Sequence, residues 1–106
     1  MHKYQKIAYI AGPYRAKDVR GIVTNIRNAE LYAIKWWRKG YAVICPHLNT
    51  ALFDGALPDE AWLQGDITLM LRADIVVMIP GWKKSVGARR EYKIAKKAGK
   101  IIKIEV

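Results

Sequence analysis

Apolar residues gather along this chain in four short, dense runs: Lys6 to Ala11, Tyr41 to Cys45, Asp74 to Ile79 and Lys100 to Ile104. Ile, Val, Ala and Tyr fill these runs without strict alternation, the pattern of strands covered on both faces. Between the first two, from Gly21 to Lys39, Ile22, Ile26, Ala29, Ala33 and Trp37 recur three and four residues apart. That spacing predicts a helix, which Gly40 ends. Pro46 to Pro58 reads as a long loop, followed by a helix from Asp59 to about Arg72. Asp59 and Glu60 suit its first turn, where negative charge meets the helix dipole. A third helix begins near Val86 and ends by Gly99. Strands alternating with helices predict a parallel sheet joined by right-handed crossovers. The expected fold is α/β, a small doubly wound domain of flavodoxin or Rossmann type. It has a four- to five-stranded parallel sheet with helices on both faces, and residues 1–106 form one domain. In such folds ligands sit at the C-terminal ends of strands, beside the switch in strand order. The exits of the first and third strands, Gly12-Pro13-Tyr14-Arg15 and Pro80-Gly81-Trp82, are therefore where chemistry belongs.

Composition narrows the picture. A chain of 106 residues, 52% of them apolar, supports one hydrophobic core but not two. No apolar run approaches the ~20 residues that span a bilayer, so no membrane partner is expected. Met1 to Lys6 lacks the apolar segment of a signal peptide, which makes a cytoplasmic protein the expectation. The single cysteine, Cys45, excludes an internal disulfide and fits a reducing compartment; within an apolar run it reads as a buried thiol. The net charge of +10 attracts nucleotides and other anions. The cations spread along the chain with a denser stretch from Lys83 to Lys103. They read as a solvated surface that steers small anions, and nucleic acid is not an expected partner.

The chemistry centres on Pro80 to Glu91. An apolar strand, a turn containing Gly81 and a helix N-terminus leave backbone N–H groups free beside a positive dipole end, a setting for an anion. Ser85 suits the helix N-cap. Six residues on stands Glu91. A phosphate-binding turn has no need of a carboxylate, whereas attack on a cationic sugar carbon does. Gly12 and Pro13 make a tight strand exit that lets Arg15 approach a ligand, and Tyr9 reads equally well as a core aromatic. Asp66 lies near an apolar stripe that includes Trp62, Leu63, Ile67 and Met70, where a carboxylate is costly unless used or paired. Asp74 reads as a cap or a ligand contact. His47 and Asn49 read as contacts to a base or supports for Asp66, and Trp82 as a base-stacking or covering group. Trp36 and Trp37 are adjacent, so one packs inward and the other faces a solvent or subunit surface. The residues contain no metal-ligand cluster, and no metal or other cofactor is expected.

Taken in order, Tyr9…Gly12-Pro13-Tyr14, Asp66…Ala73-Asp74 and Ser85-x-Gly87-x-x-x-Glu91 resemble the nucleoside 2-deoxyribosyltransferase superfamily, which includes nucleoside 5′-monophosphate N-glycosidases. The resemblance runs from Tyr9 to about Ile102. It implies an enzyme that breaks a sugar–base bond through a covalent glycosyl intermediate. Glu91 matches the nucleophile that attacks C1′, Asp66 the acid that protonates the departing base, and Tyr9 the tyrosine that orients the nucleophile. The residue six before the nucleophile is an aspartate in the nucleoside transferases and a serine near the 5′-phosphate in the monophosphate hydrolases. Ser85 therefore implies a nucleoside monophosphate rather than a free nucleoside, with Arg15 as a further phosphate clamp. Gly12, Pro13, Tyr14, Arg15, His47, Asn49, Asp74, Gly81, Trp82, Ser85 and Gly87 complete the implied binding site. The sugar passes to water or to another base. If Arg89 or Arg90 pairs with Glu91, its pKa falls. A homodimer or a dimer of dimers is implied, because family sites form between subunits. The chain ends fifteen residues after Glu91, where longer members continue. That shortness supports the alternative of a nucleotide-binding sensor or adaptor without turnover, and charge alone supports a basic nucleic-acid-binding module.

Overall fold

A computed structural model describes residues 4–106; the part of the signal-peptide reading that falls on Met1 to Lys3 lies outside the described residues. Among the described residues four strands form one sheet: β1 (Ile7–Ala11), β2 (Ala42–Ile44), β3 (Ile75–Met78) and β4 (Ile101–Ile104). All pairings are parallel, in the order β2-β1-β3-β4. The sheet thus has the lower of the two expected strand counts.

Four α-helices of the described residues connect and cover it. The first, α1 (Val19–Arg38), starts two residues before its expected position because Asp18 caps it, accepting from the Gly21 amide at 2.8 Å. The stretch expected as an unbroken loop from Pro46 to Pro58 instead opens with a one-turn helix, α2 (Pro46–Asn49), and a 3₁₀ turn over Ala51–Phe53. Pro46 at the first helical position explains α2, since its fixed φ is preset for a helix and its missing N–H is no loss there. Two longer helices follow, α3 (Asp59–Arg72) and α4 (Val86–Lys97).

Strand alternation builds a core on each face. Ala8, Ile10, Val77 and Ile79 pack with Ala29, Ala33 and Trp36 of α1. Tyr9, Ala11, Val76 and Met78 face the other way and pack with Met70 of α3 and Ala88 and Ala95 of α4. This is the outcome of right-handed crossovers in a sheet whose order reverses after β2: the first helix covers one face and the later two cover the other. Trp36 is the inward-facing member of its pair and Trp37 is half exposed. Glu105, just past β4, fastens α1 to the sheet: it accepts from Lys35 Nζ at 2.7 Å and from Trp36 Nε1 at 2.9 Å. Lys35 beside it holds the Glu105 carboxyl below the usual range.

The switch in strand order falls between β1 and β3, and both strands end there in glycine turns. Gly12 lies against Ile79; a Cβ on it would stand 2.3 Å from Ile79 Cγ1. Gly81 has φ +91°, the left-handed region that other residues rarely adopt. These two turns draw the chain away from the strand ends and leave room between them.

Candidate active site

That room is a cavity of about 660 Å³. Its floor is the exit of β1, and its walls are the turn after β3, the start of α2, the inner side of α3 and the first turns of α4. Glu91, on the second turn of α4, and Asp66, on α3, both line it. Beneath them Tyr9, fully buried, donates its hydroxyl to Glu91 Oε2. The strand places Tyr9 there: it alternates with Ala8 and Ile10 and so turns toward α3 and α4.

The electrostatics follow from burial. Loss of water pushes the Glu91 carboxyl up to about 7, against the hydrogen bond from Tyr9, which pulls it down, while the charge of Asp66 adds to the rise. Burial pushes Asp66 up to about 6. The Tyr9 phenol is driven far above its ordinary range, first by burial and then by the charges of Glu91 and Asp66. It stays protonated at any working pH and acts as a fixed donor to Glu91. Two carboxyls that feel each other titrate as a pair, and near neutrality this pair holds about one proton. Neither neighbouring arginine pairs with Glu91. Arg90 pairs with Glu60 at 3.2 Å and Arg89 donates to the Lys83 carbonyl at 3.3 Å. Glu91 is therefore raised by burial instead of lowered by a cation.

A second part of the cavity suits an anion. Ser85 caps α4, its Oγ accepting from the Ala88 amide at 3.1 Å. The Val86 and Gly87 amides, in the first turn, have no carbonyl one turn back. Lys84, Ser85, Val86 and Gly87 all line the cavity. Arg15 lines it too, but its guanidinium is held by Asp54 at 2.9 Å and Asp59 at 2.6 Å. The residue expected as a phosphate clamp is thus ion-paired, tying the β1 exit to Asp54 and to the first residue of α3, and Lys84 is the cation beside the α4 N-terminus.

Gly12, Pro13, Tyr14, His47 and Gly81 also line the cavity. His47 Nε2 donates to the Pro13 carbonyl at 2.9 Å, which leaves Nδ1 as a buried acceptor with no protein partner. Burial holds the His47 ring below its usual pKa, so it is neutral. Trp62, on the same wall, has a buried Nε1–H that is also unpartnered. Sequence reasoning placed Trp62 only in an apolar stripe and gave Asp54 no role. The i+4 spacing from Trp62 to Asp66 was the available signal for the first; nothing local signals the second.

Three expected contacts are corrected. Asp74 stands at the start of β3, the opposite end of the sheet, where its carboxylate accepts from the Ile7 amide at 2.7 Å and its own amide donates to the Ile7 carbonyl at 2.8 Å. Asn49 lines a separate groove with Trp37, Val43 and Leu48, because the turn of α2 carries it away from His47. Trp82 is buried and stacks on Tyr92 with ring centroids 4.6 Å apart, so it packs the core under the turn. Among the described residues no group of three or more His, Cys, Asp or Glu side chains is placed to hold a metal ion. No helix of the described residues is long and apolar enough to cross a membrane.

Comparison with known proteins adds the following. A family model described as "Domain of unknown function (DUF4406)" matches residues 6–104. No curated protein matches the chain. Among solved structures, a 2-desoxiribosyltransferase from Leishmania mexicana superposes with a TM-score of 0.64 at 17% identity. That match covers 93% of this chain and 63% of the other, so the chain spans less than two thirds of its length. The likeness shows the nucleoside 2-deoxyribosyltransferase fold.

Proposed function

The chain belongs to the DUF4406 family, whose description states no activity, and from its site we propose that it cleaves the N-glycosidic bond of a (deoxy)nucleoside 5′-monophosphate. The observation that carries this is the pair Glu91 and Asp66 lining one cavity, with the phenol of the buried Tyr9 fixed on Glu91 from beneath. The fold shared with a 2-desoxiribosyltransferase supports the same reading.

Three things are asked of a site that breaks a sugar–base bond: a carboxylate near C1′, a proton for the departing base, and a hold on the rest of the substrate. Glu91 supplies the first. One of its oxygens bonds to C1′ as the C1′–N bond breaks, and that electron pair leaves on the base. Asp66 gives its proton to a ring nitrogen, so the base departs neutral. Water or a second base then attacks C1′ of the glycosyl ester and returns Glu91 as a carboxylate. The carboxylate of Asp66 takes back the proton released by the incoming nucleophile. Tyr9 holds Glu91 by one oxygen and leaves the other for attack. The productive state of the pair has Glu91 ionised and Asp66 protonated. A sugar carbon gaining positive charge favours ionised Glu91, and a base covering Asp66 favours its neutral form.

For the 5′-phosphate, Ser85, the free amides of Val86 and Gly87 and the ammonium of Lys84 make a coherent binding end. No buried carboxylate occupies the Ser85 position to repel it. The direct test is release of free base from deoxynucleoside and ribonucleoside 5′-monophosphates by the wild type and by Glu91→Gln. The reading requires release by the first and none by the second.

A further inference from the structure

The net charge is not evenly spread over the molecule. Nine of the nineteen Lys and Arg residues fall between Lys83 and Lys103, against one carboxylate, Glu91, which turns inward to the cavity. That segment therefore carries +8 of the total +10, and the remaining chain is close to balanced. Helix geometry then gathers the cations. Arg89, Arg90, Lys93, Lys96 and Lys97 recur at three- and four-residue spacing along α4, and all but Arg90 are exposed. Arg90 has Glu60 as its ion-pair partner; no carboxylate of the described residues pairs with Arg89, Lys93, Lys96 or Lys97.

A mononucleotide accounts for little of this. Its phosphate at the α4 N-terminus meets Lys84 and the first-turn amides, whereas α4 runs on for twelve residues, about 18 Å at 1.5 Å per residue. Like charges so close together raise the free energy of the folded protein unless a polyanion neutralises them. The row begins at the cavity mouth, where Lys84 and Arg90 line the wall, and leads away from it. Backbone phosphates of a strand stacked at ~3.4 Å spacing would place about five along that length.

We infer that the outer face of α4 binds the phosphate backbone of a single-stranded nucleic acid, so that the nucleotide entering the cavity is one carried by a strand. The strand is single because a base must leave its stack to reach an enclosed pocket. The second half of this inference rests on the N-glycosidase reading; binding by α4 does not.

The test compares a fluorescein-labelled single-stranded deoxyoligonucleotide of twelve mixed residues with the matching mononucleotides, using the full chain. The oligonucleotide is expected to bind at least tenfold more tightly at ~0.1 M salt. Its log affinity should fall with log salt at a slope near −3, which corresponds to four or five neutralised phosphates. Lys93→Glu with Lys97→Glu, both exposed and remote from the cavity, should weaken the oligonucleotide tenfold or more and leave base release from mononucleotides unchanged. Lys93→Arg with Lys97→Arg should bind as the wild type does. Base release from the strand should exceed that from the mononucleotide in kcat/KM and drop to its level in the double-Glu variant. Oligonucleotide binding no tighter than mononucleotide binding would overturn the inference. So would binding indifferent to the double-Glu variant, or equal retention on anionic lipid vesicles through the same lysines. Strand binding intact in a protein that releases no base from any substrate would sink the N-glycosidase reading alone and leave the α4 surface standing.

Discussion

Glu91 and Asp66 are unusual as carboxyls because both sit near neutrality, at about 7 and about 6. Catalysis needs one proton on the pair, so activity should follow a narrow bell with limbs near those values. Below the lower limb both are protonated and the nucleophile is lost; above the upper limb neither is, and the base leaves without a proton. A kcat/KM profile from pH 4.5 to 9 on a monophosphate checks this. Stability carries a linked signature. Both folded pKa values lie above the unfolded ones, so the native state binds more protons between about pH 4 and 7, and stability falls as pH rises through that window. Glu91→Gln should remove roughly half of the slope, Asp66 keeping the rest, and gain roughly 1–3 kcal/mol at pH 8 relative to pH 4, measured by urea unfolding at the two pH values. Tyr9→Phe removes the donor that holds Glu91 down. Its upper limb should move to higher pH, with activity down on the order of 100-fold. Lys84→Met should raise KM for monophosphates about tenfold while leaving parent nucleosides unaffected. Arg15→Met should lack that selectivity, because Arg15 already holds Asp54 and Asp59.

At the scale of elements, β-strand periodicity and glycine turns decide where these side chains stand. Gly12 is required by packing: an added Cβ would collide with Ile79, a fully buried residue. Gly12→Ala should cost about 1–3 kcal/mol by overpacking and lower the melting temperature several degrees. Pairing it with Ile79→Val should recover part of the loss. The four strands and three long helices were legible in the sequence because each is a strong apolar run or a clear three-four spacing. The short helix at Pro46 was not, since a single turn has no periodicity to read. Tyr9, Asp66, Ser85 and Glu91 were legible as a set through their order and spacing. The exclusion of Asp74 was not, because an acid at a strand start looks the same in sequence whichever end of the sheet holds the site. The ion pairs of Arg15 were not legible, because its partners Asp54 and Asp59 lie about forty residues away in the chain.

The whole molecule combines a nearly balanced larger part with a cationic segment from Lys83 to Lys103 that contains α4, and its cavity opens where the two meet. A right-handed doubly wound sheet makes the cavity at the strand switch, and a helix starting there lends its dipole to an anion. Assembly of the chain into a homodimer or dimer of dimers is a proposal that light scattering would test. The half-exposed Trp37 beside the groove of Val43 and Leu48 is the surface such an assembly would cover. The claim on which the account turns is that Glu91 forms a bond to a sugar carbon in this cavity. Its most direct measurement is free-base release from a panel of deoxynucleoside and ribonucleoside 5′-monophosphates and their parent nucleosides, run with wild type and Glu91→Gln side by side. Release is expected from at least one monophosphate, weaker from its nucleoside, and absent with the variant. Release that persists in Glu91→Gln, or no release from any compound by a wild-type protein that still binds them, would contradict it.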